Sequence, residues 1–185
     1  MQQTAGDRMN IFQAFFAALA LCMSGATWAG PIPENQESGG GIRTFDLPAA
    51  LTGVVEVTFD ATPLADKMDG FTGISEAEPR KGRDVAAMVR FSDKGTMDVP
   101  DGNAFRSDQT LRYSANQVYR VRMIIDVPSR KFSIFVTPPG QAEVLLASKY
   151  EFRNHRTAPL NKLVVAGYNG KHRVSGVSLK AVSSQ

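Results

Sequence analysis

The stretch Tyr119 to Thr137, YRVRMIIDVPSRKFSIFVT, decides the fold. In its first limb Tyr119, Val121, Met123 and Ile125 alternate with Arg120, Arg122, Ile124 and Asp126, the period of two that marks a half-buried strand. In its second limb Phe132, Ile134 and Val136 alternate with Ser133, Phe135 and Thr137. Pro128 and Ser129 separate the limbs, and proline presets φ for a turn while donating nothing to a ladder. The stretch is therefore a β-hairpin. Pairing Ile125 with Phe132 keeps both apolar sets on one side and sets Arg122 opposite Phe135 on the other. A slip of one residue would turn one limb's side chains to the wrong face.

Strand signals continue on either side. Upstream, Ile42 to Leu47 is a short edge strand, and Gly53 to Asp60 alternates Val55, Val57 and Phe59 with Val54, Glu56 and Thr58. Leu64 to Met68 is the one stretch that suits a helical turn. Gly70 to Ser75 is a strand, Glu76 to Asp84 a polar loop, and Val85 to Phe91 a strand with Val85, Ala87, Val89 and Phe91 inward and Met88 and Arg90 outward. Thr96 to Val99 leads to Asp101-Gly102, a strong hairpin signal, followed by short strands at Ala104 to Arg106 and Thr110 to Tyr113. Downstream lie Glu143 to Ser148, Tyr150 to Arg153, Leu160 to Tyr168, the Asn169-Gly170 turn and Arg173 to Val182. About a dozen short strands spaced by turn residues predict an all-β, antiparallel two-sheet β-sandwich.

The N-terminal region has a different character. An apolar run from Phe15 to Met23 precedes Thr27-Trp28-Ala29, the pattern of a signal peptide over residues 1–29 with cleavage after Ala29. The run is too short to span a bilayer. Leu21 precedes Cys22 where a lipobox requires a small residue, which argues against acylation. Residues 30–41, GPIPENQESGGG, have little to bury and read as a flexible lead-in. The sandwich domain then occupies residues 42–185, exported to the periplasm or the exterior.

Cleavage would remove the one cysteine and the one tryptophan among the 185 residues. The remaining domain has no disulfide and no thiol nucleophile, and it is long enough to bury a core without such staples. The full chain carries 21 Lys+Arg against 18 Asp+Glu, a net charge of +3. That small excess is dispersed. Its densest cluster, Pro79-Arg80-Lys81-Gly82-Arg83, is a short solvated loop, which argues against nucleic-acid binding.

Five phrases, VEVTFDATP (Val55 to Pro63), VRFSDKGTMDV (Val89 to Val99), YRVRMIIDV (Tyr119 to Val127), FSIFVTPPG (Phe132 to Gly140) and YEFR (Tyr150 to Arg153), together resemble the concanavalin A-like lectin/glucanase superfamily. Within it they are most similar to the laminin G-like jelly-roll modules of secreted bacterial proteins that act on polysaccharides. The resemblance covers nearly all of Ile42 to Val182. It implies a concanavalin A-like jelly roll whose concave face or loop rim meets glycans, often with a calcium ion. Because this superfamily holds lectins, lyases, hydrolases and adhesive modules, the activity must be argued from the site.

Glycoside hydrolysis needs two carboxyl groups about 5 to 9.5 Å apart. Glu56 and Asp60 share a strand face but lie about 13 Å apart by the strand rise, too far for either stereochemical route. The segment Ala166-Gly167-Tyr168-Asn169 is faintly similar to a strand of alginate lyases, yet Val165 replaces its lysine, Gly170 its glutamine, and no Q-I-H motif occurs. It reads more simply as a hairpin turn edged by a tyrosine. His155 and His172 lie in polar sequence and read as solvated.

The outward side of the hairpin offers Arg120, Arg122, Asp126 and Phe135, with Arg90 expected on a neighbouring strand. Arginine forks and an aromatic ring suit sugar hydroxyls, carboxylates and pyranose faces, so these five residues are the candidate glycan site. The simpler alternative is a cross-strand ladder with Arg122 over Phe135, worth about 0.2 to 1 kcal/mol per pair. Asp60, Asp66 and Asp69 are the candidate calcium ligands, although calcium takes six to eight oxygens and such spacing also suits aspartates that cap turns.

The sequence thus supports a secreted, noncatalytic glycan-binding or adhesive module. Two other classes stay open: a polysaccharide lyase or glycoside hydrolase with an unrecognised site, and a structural or protein-interaction sandwich with no sugar ligand. The expected partner is a polysaccharide or other glycan, with no membrane contact after leader cleavage.

Overall fold

The computed structural model describes residues 27–28, 35–153 and 159–182. In chain order its strands are β1 (Thr27–Trp28), β2 (Gln36–Glu37), β3 (Gly41–Leu51), β4 (Val54–Pro63), β5 (Asp69–Ser75), β6 (Ala87–Phe91), β7 (Thr96–Asp101), β8 (Ala104–Arg112), β9 (Tyr119–Asp126), β10 (Lys131–Thr137), β11 (Val144–Glu151), β12 (Leu160–Asn169) and β13 (His172–Ala181). A 3₁₀ turn, Gly82–Asp84, is the helical element among the described residues. One sheet runs β1-β13-β4-β9-β10-β11, with β2 also paired to β13; the other runs β3-β12-β5-β6-β7-β8. The pairings are antiparallel. The chain is an antiparallel two-sheet β-sandwich.

The Tyr119 to Thr137 hairpin is β9 and β10. Phe132 pairs with Ile125 and Phe135 with Arg122, the register that face matching requires. Tyr119, Val121, Met123, Ile125, Phe132, Ile134 and Val136 are all buried, each at most 4% exposed. They meet Ile74, Val89, Phe91, Met97 and Val165 of the opposite sheet in one core. Each fully buried side chain of this kind contributes about 1.5–3 kcal/mol of transfer free energy. The turn is held locally: Ser129 N–H donates to the Asp126 carboxylate at 3.0 Å, and Arg130 N–H to the Val127 carbonyl at 3.2 Å.

Several elements differ from expectation. The first edge strand runs from Gly41 to Leu51 and carries Pro48, which an edge tolerates because one side of the strand needs no donors. The two pieces expected around Phe105 and Leu111 form one strand, β8, and those around Leu145 and Tyr150 form one strand, β11, interrupted by register shifts against β10. Leu64 to Met68 is not helical, and the 3₁₀ turn falls instead in the polar loop. The Gly102 and Gly170 turns are present, both glycines with positive φ (57° and 81°).

The proposed leader lies outside the described residues except for Thr27–Trp28, whose backbone pairs with Lys180 and Leu179. Of the lead-in, residues 35–41 are described. Gln36 and Glu37 pair with β13, and the Ser38 hydroxyl, fully buried, accepts from His172 N–H at 2.9 Å.

The six-stranded sheet buries apolar side chains on both faces. Val85 and Met88 were expected inward and outward respectively, but both are buried on the outer face in a second cluster with Phe71, Val164 and Ala166. The loop after β5 causes this by folding back across the sheet. Ala86 N–H donates to the Ile74 carbonyl and Arg153 N–H to the Ala86 carbonyl, at 3.0 and 2.9 Å. Gly73 permits the close approach: a Cβ there would lie 2.4 Å from the Ala87 carbonyl oxygen.

Candidate functional site

The hairpin's outer face is occupied by its own countercharges. Arg122 donates to both oxygens of Glu143 (2.9 and 2.5 Å), lies 3.6 Å from Glu56, and stacks 3.9 Å from the Phe135 ring centroid. The hydrogen bond between Arg122 and Glu143 raises the Arg122 pKa and holds the Glu143 carboxyl below its ordinary range. Arg120 pairs with Asp60 at 3.2 Å, and Asp126 caps the turn. Hydrogen bonds to Ser129 hold the Asp126 carboxyl below its ordinary range. What the sheet presents here is a closed ladder.

Arg90 does not join this group. It lies on β6 of the opposite sheet, so the two parts of the expected five-residue set face opposite sides of the sandwich. Alternation assigned its outward direction correctly, but alternation within a strand carries no information on which sheet that strand enters. The three aspartates also diverge. Asp60 pairs with Arg120, Asp66 accepts from Ala115 N–H at 2.8 Å, and Asp69 lies 3.8 Å from Arg90. Among the described residues no group of three or more His, Cys, Asp or Glu side chains could hold a metal ion. The donor set expected for calcium does not fit.

Around Arg90 the outer face of the six-stranded sheet forms an open groove of about 400 Å³. Its floor follows from register. Ala166, Phe71, Arg90 and Asp98 are successive cross-strand neighbours on β12, β5, β6 and β7. Arg90 donates to both oxygens of Asp98, at 2.8 and 2.7 Å, and its guanidinium carbon lies 3.7 Å from the Phe105 ring centroid. Burial works against its charge, but the Asp98 hydrogen bond and surrounding carboxylates outweigh burial and raise its pKa. Burial likewise raises the pKa of Asp69, against the pull of Arg90.

Three further cations, Lys81, Arg83 and Arg153, line the same groove. Arg153 shares the Phe105 ring with Arg90, at 4.7 Å from the centroid. Its Nε is buried and has no hydrogen-bond partner, and no carboxylate among the described residues pairs with it. Burial lowers its pKa first and the neighbouring Arg90 charge adds to this. Tyr168 lines the groove too, 54% exposed, its ring 6.1 Å from that of Phe71. The other tyrosines, Tyr113, Tyr119 and Tyr150, are buried. Gly82 leaves the space between open: a Cβ there would meet Phe71 at 3.3 Å and the Tyr168 hydroxyl at 3.7 Å.

Sequence reasoning singles out Arg90, and Asp69 in another role, and misses the rest of this groove. Its residues come from segments between Asp69 and Tyr168 that only the fold brings together. Two signals were present: Lys81 and Arg83 in the densest basic cluster, and apolar residues at both parities of Gly70 to Ser75 and Leu160 to Tyr168, which mark a sheet covered on both faces.

His172 is a second departure from expectation. Polar neighbours in sequence suggested solvation, whereas the side chain is fully buried, with Nε2 2.8 Å from the Thr72 hydroxyl and the ring edge-on to Phe91. As the first residue of β13 it faces inward. Burial pushes its pKa down to about 4, so it is neutral at pH 7.

No family model matches the chain. A gellan lyase from a Bacillus species is 33% identical over 129 residues, covering 60% of this chain and 5% of that protein. The chain therefore spans about 5% of the length of that curated relative. Among solved structures, arcelin-5, a lectin-like defence protein from Phaseolus vulgaris, matches with a TM-score of 0.56 at 8% identity, over 87% of this chain and 99% of that one. The catalytic domain of a GH131 β-glucanase from Podospora anserina matches with a TM-score of 0.53 at 14% identity, over 82% and 72% of the two chains. These likenesses define the class of the fold, a concanavalin A-like jelly-roll sandwich.

Proposed function

We propose that this chain is a secreted, noncatalytic glycan-binding or adhesive module of the laminin G-like type found in secreted bacterial proteins, and that its ligand lies in the groove on the outer face of the six-stranded sheet. The observation that carries this reading is the exposed Tyr168 ring in one groove with Arg83 and Arg153, which form no ion pair with a carboxylate among the described residues. Tyrosine offers a flat apolar face with a polar tip, and arginine a planar fork for hydroxyls and anions. Similarity to a polysaccharide lyase over 60% of the chain, and to a lectin-like protein in fold, supports a glycan-related role. In this reading residues 1–29 are the export signal, and the mass of the exported protein should correspond to cleavage after Ala29.

Affinity electrophoresis and calorimetry of the full chain on a polysaccharide panel test the assignment. Retention by at least one polysaccharide is expected, reduced about tenfold or more by Tyr168→Ala and unchanged by Phe135→Ala. Absence of binding by the folded protein on every polysaccharide would overturn it. A lyase reading has one specific observation behind it, the Tyr168 phenol in the same groove as Arg153. Release of unsaturated uronate products that Tyr168→Phe abolishes would establish that reading in place of binding alone.

A further inference from the structure

The charge balance of the two sheet faces narrows the ligand class, on the reading that the groove binds a glycan. On the hairpin face each arginine meets a carboxylate: Arg120 meets Asp60, and Arg122 meets Glu143 and Glu56. In the groove, Lys81, Arg83, Arg90 and Arg153 line a surface with one carboxylate, Asp69. Asp98 saturates Arg90 through two hydrogen bonds. Arg153 is held against the same Phe105 ring with no such partner, and the Arg83 and Lys81 side chains likewise form no ion pair with a carboxylate among the described residues. Two guanidinium groups sharing one ring repel each other at short range. A fold that keeps them together, partly desolvated and with only one matched, is short of an anion at that point.

We infer that the groove takes an acidic polysaccharide, its carboxylate or sulfate groups docking on Arg153 with Arg83 and Lys81 alongside and a sugar ring lying against Tyr168. Charge-assisted hydrogen bonds from a guanidinium are the strong ones, and they strengthen in a partly dry site. Tyr168 supplies the apolar face that a simple ion-exchange patch lacks. The depressed basicity of Arg153 agrees with this arrangement, since an incoming anion offsets both the cost of burial and the repulsion from Arg90.

The test uses the full chain and three probes: polygalacturonate for carboxylates, dextran sulfate for sulfates and unmodified dextran as the neutral control. Binding to one or both polyanions is expected, with no binding to dextran and affinity falling as salt rises. Arg153→Ala should weaken polyanion binding about tenfold or more. The double variant Lys81→Ala/Arg83→Ala changes two exposed side chains and so keeps the test independent of folding. It should weaken binding by a smaller factor, about three- to tenfold. Which polyanion binds identifies the anion. Dextran binding as tight as that of the polyanions, insensitive to salt, would overturn the acidic-ligand inference and leave the glycan-binding reading standing. Polyanion binding that neither variant weakens would overturn it as well. Failure of all three probes and of every other polysaccharide would remove both.

Discussion

Burial sets the protonation state of His172, and with it a pH dependence of stability. The folded pKa of about 4 lies below the ordinary 6.5, so the unfolded chain binds the proton more readily. Stability from this residue is complete above pH 6.5 and declines as pH falls from there toward 4. The full shift corresponds to about 3 kcal/mol. Urea unfolding of the wild type and of His172→Gln should therefore show a difference in stability that changes by about that amount across this window. A difference independent of pH would show that the folded protein accepts the proton at His172 without cost. Arg122 makes the contrasting case. Its partners are partly exposed and screened by solvent, so Arg122→Ala should cost only about 1 kcal/mol and leave polysaccharide binding unchanged. Loss of binding in that variant, with folding intact, would return the hairpin face to candidacy.

At the scale of elements, the sandwich depends on how its open edges are managed. β8 and β11 end the two sheets, and carboxylates on or beside β8 accept from β11. Asp108 takes the Ser148 N–H and the Tyr150 O–H, each at 2.8 Å, and Asp101 takes the Glu151 N–H at 3.1 Å. Arg106 pairs with Asp101 and lies over the Tyr150 ring. Such acceptors occupy an edge that would otherwise template another chain. Burial first, then Asp108, pushes the Tyr150 phenol up to about 12. Asp108→Ala should cost about 1 kcal/mol, speed exchange of the Ser148 amide and bring the Tyr150 ionisation down toward 10 in an ultraviolet titration. An unchanged titration would mean that burial alone sets that phenol. Across the sheet, Gly73 lies between β6 and the folded-back loop. Because an added Cβ meets the Ala87 carbonyl at 2.4 Å, Gly73→Ala has no flexible neighbour to displace there and should cost about 3 kcal/mol in urea unfolding.

For the molecule as a whole, alternation made the architecture legible and left the site obscure. Period-two patterning determined the β9–β10 register, its core face and the two-sheet class, because all of these are local consequences of which side chains must leave water. It could not say that β6 and β9 enter different sheets, since that is a matter of strand order across the whole chain. Alternation therefore groups Arg90 with residues it never meets and gives no link between Arg153, Tyr168 and the 81–83 segment. His172 was misjudged for a related reason: its polar neighbours in sequence point away from the core that it enters. The resulting asymmetry, one face whose arginines meet carboxylates and another where Arg83 and Arg153 meet none among the described residues, leads to a prediction that only the assembled sandwich can make. A bound acidic polysaccharide at about a hundredfold excess over its Kd should stabilise the folded chain by about 2.7 kcal/mol. That corresponds to a rise in Tm of about 5–10 °C for a chain of this length. Hydrogen exchange with polygalacturonate present should slow along β5, β6 and residues 81–85, while β9 and β10 keep their unliganded rates. Protection appearing on β9 and β10 instead would place the ligand on the face whose charges are already matched and would refute the link between unmatched cations and binding.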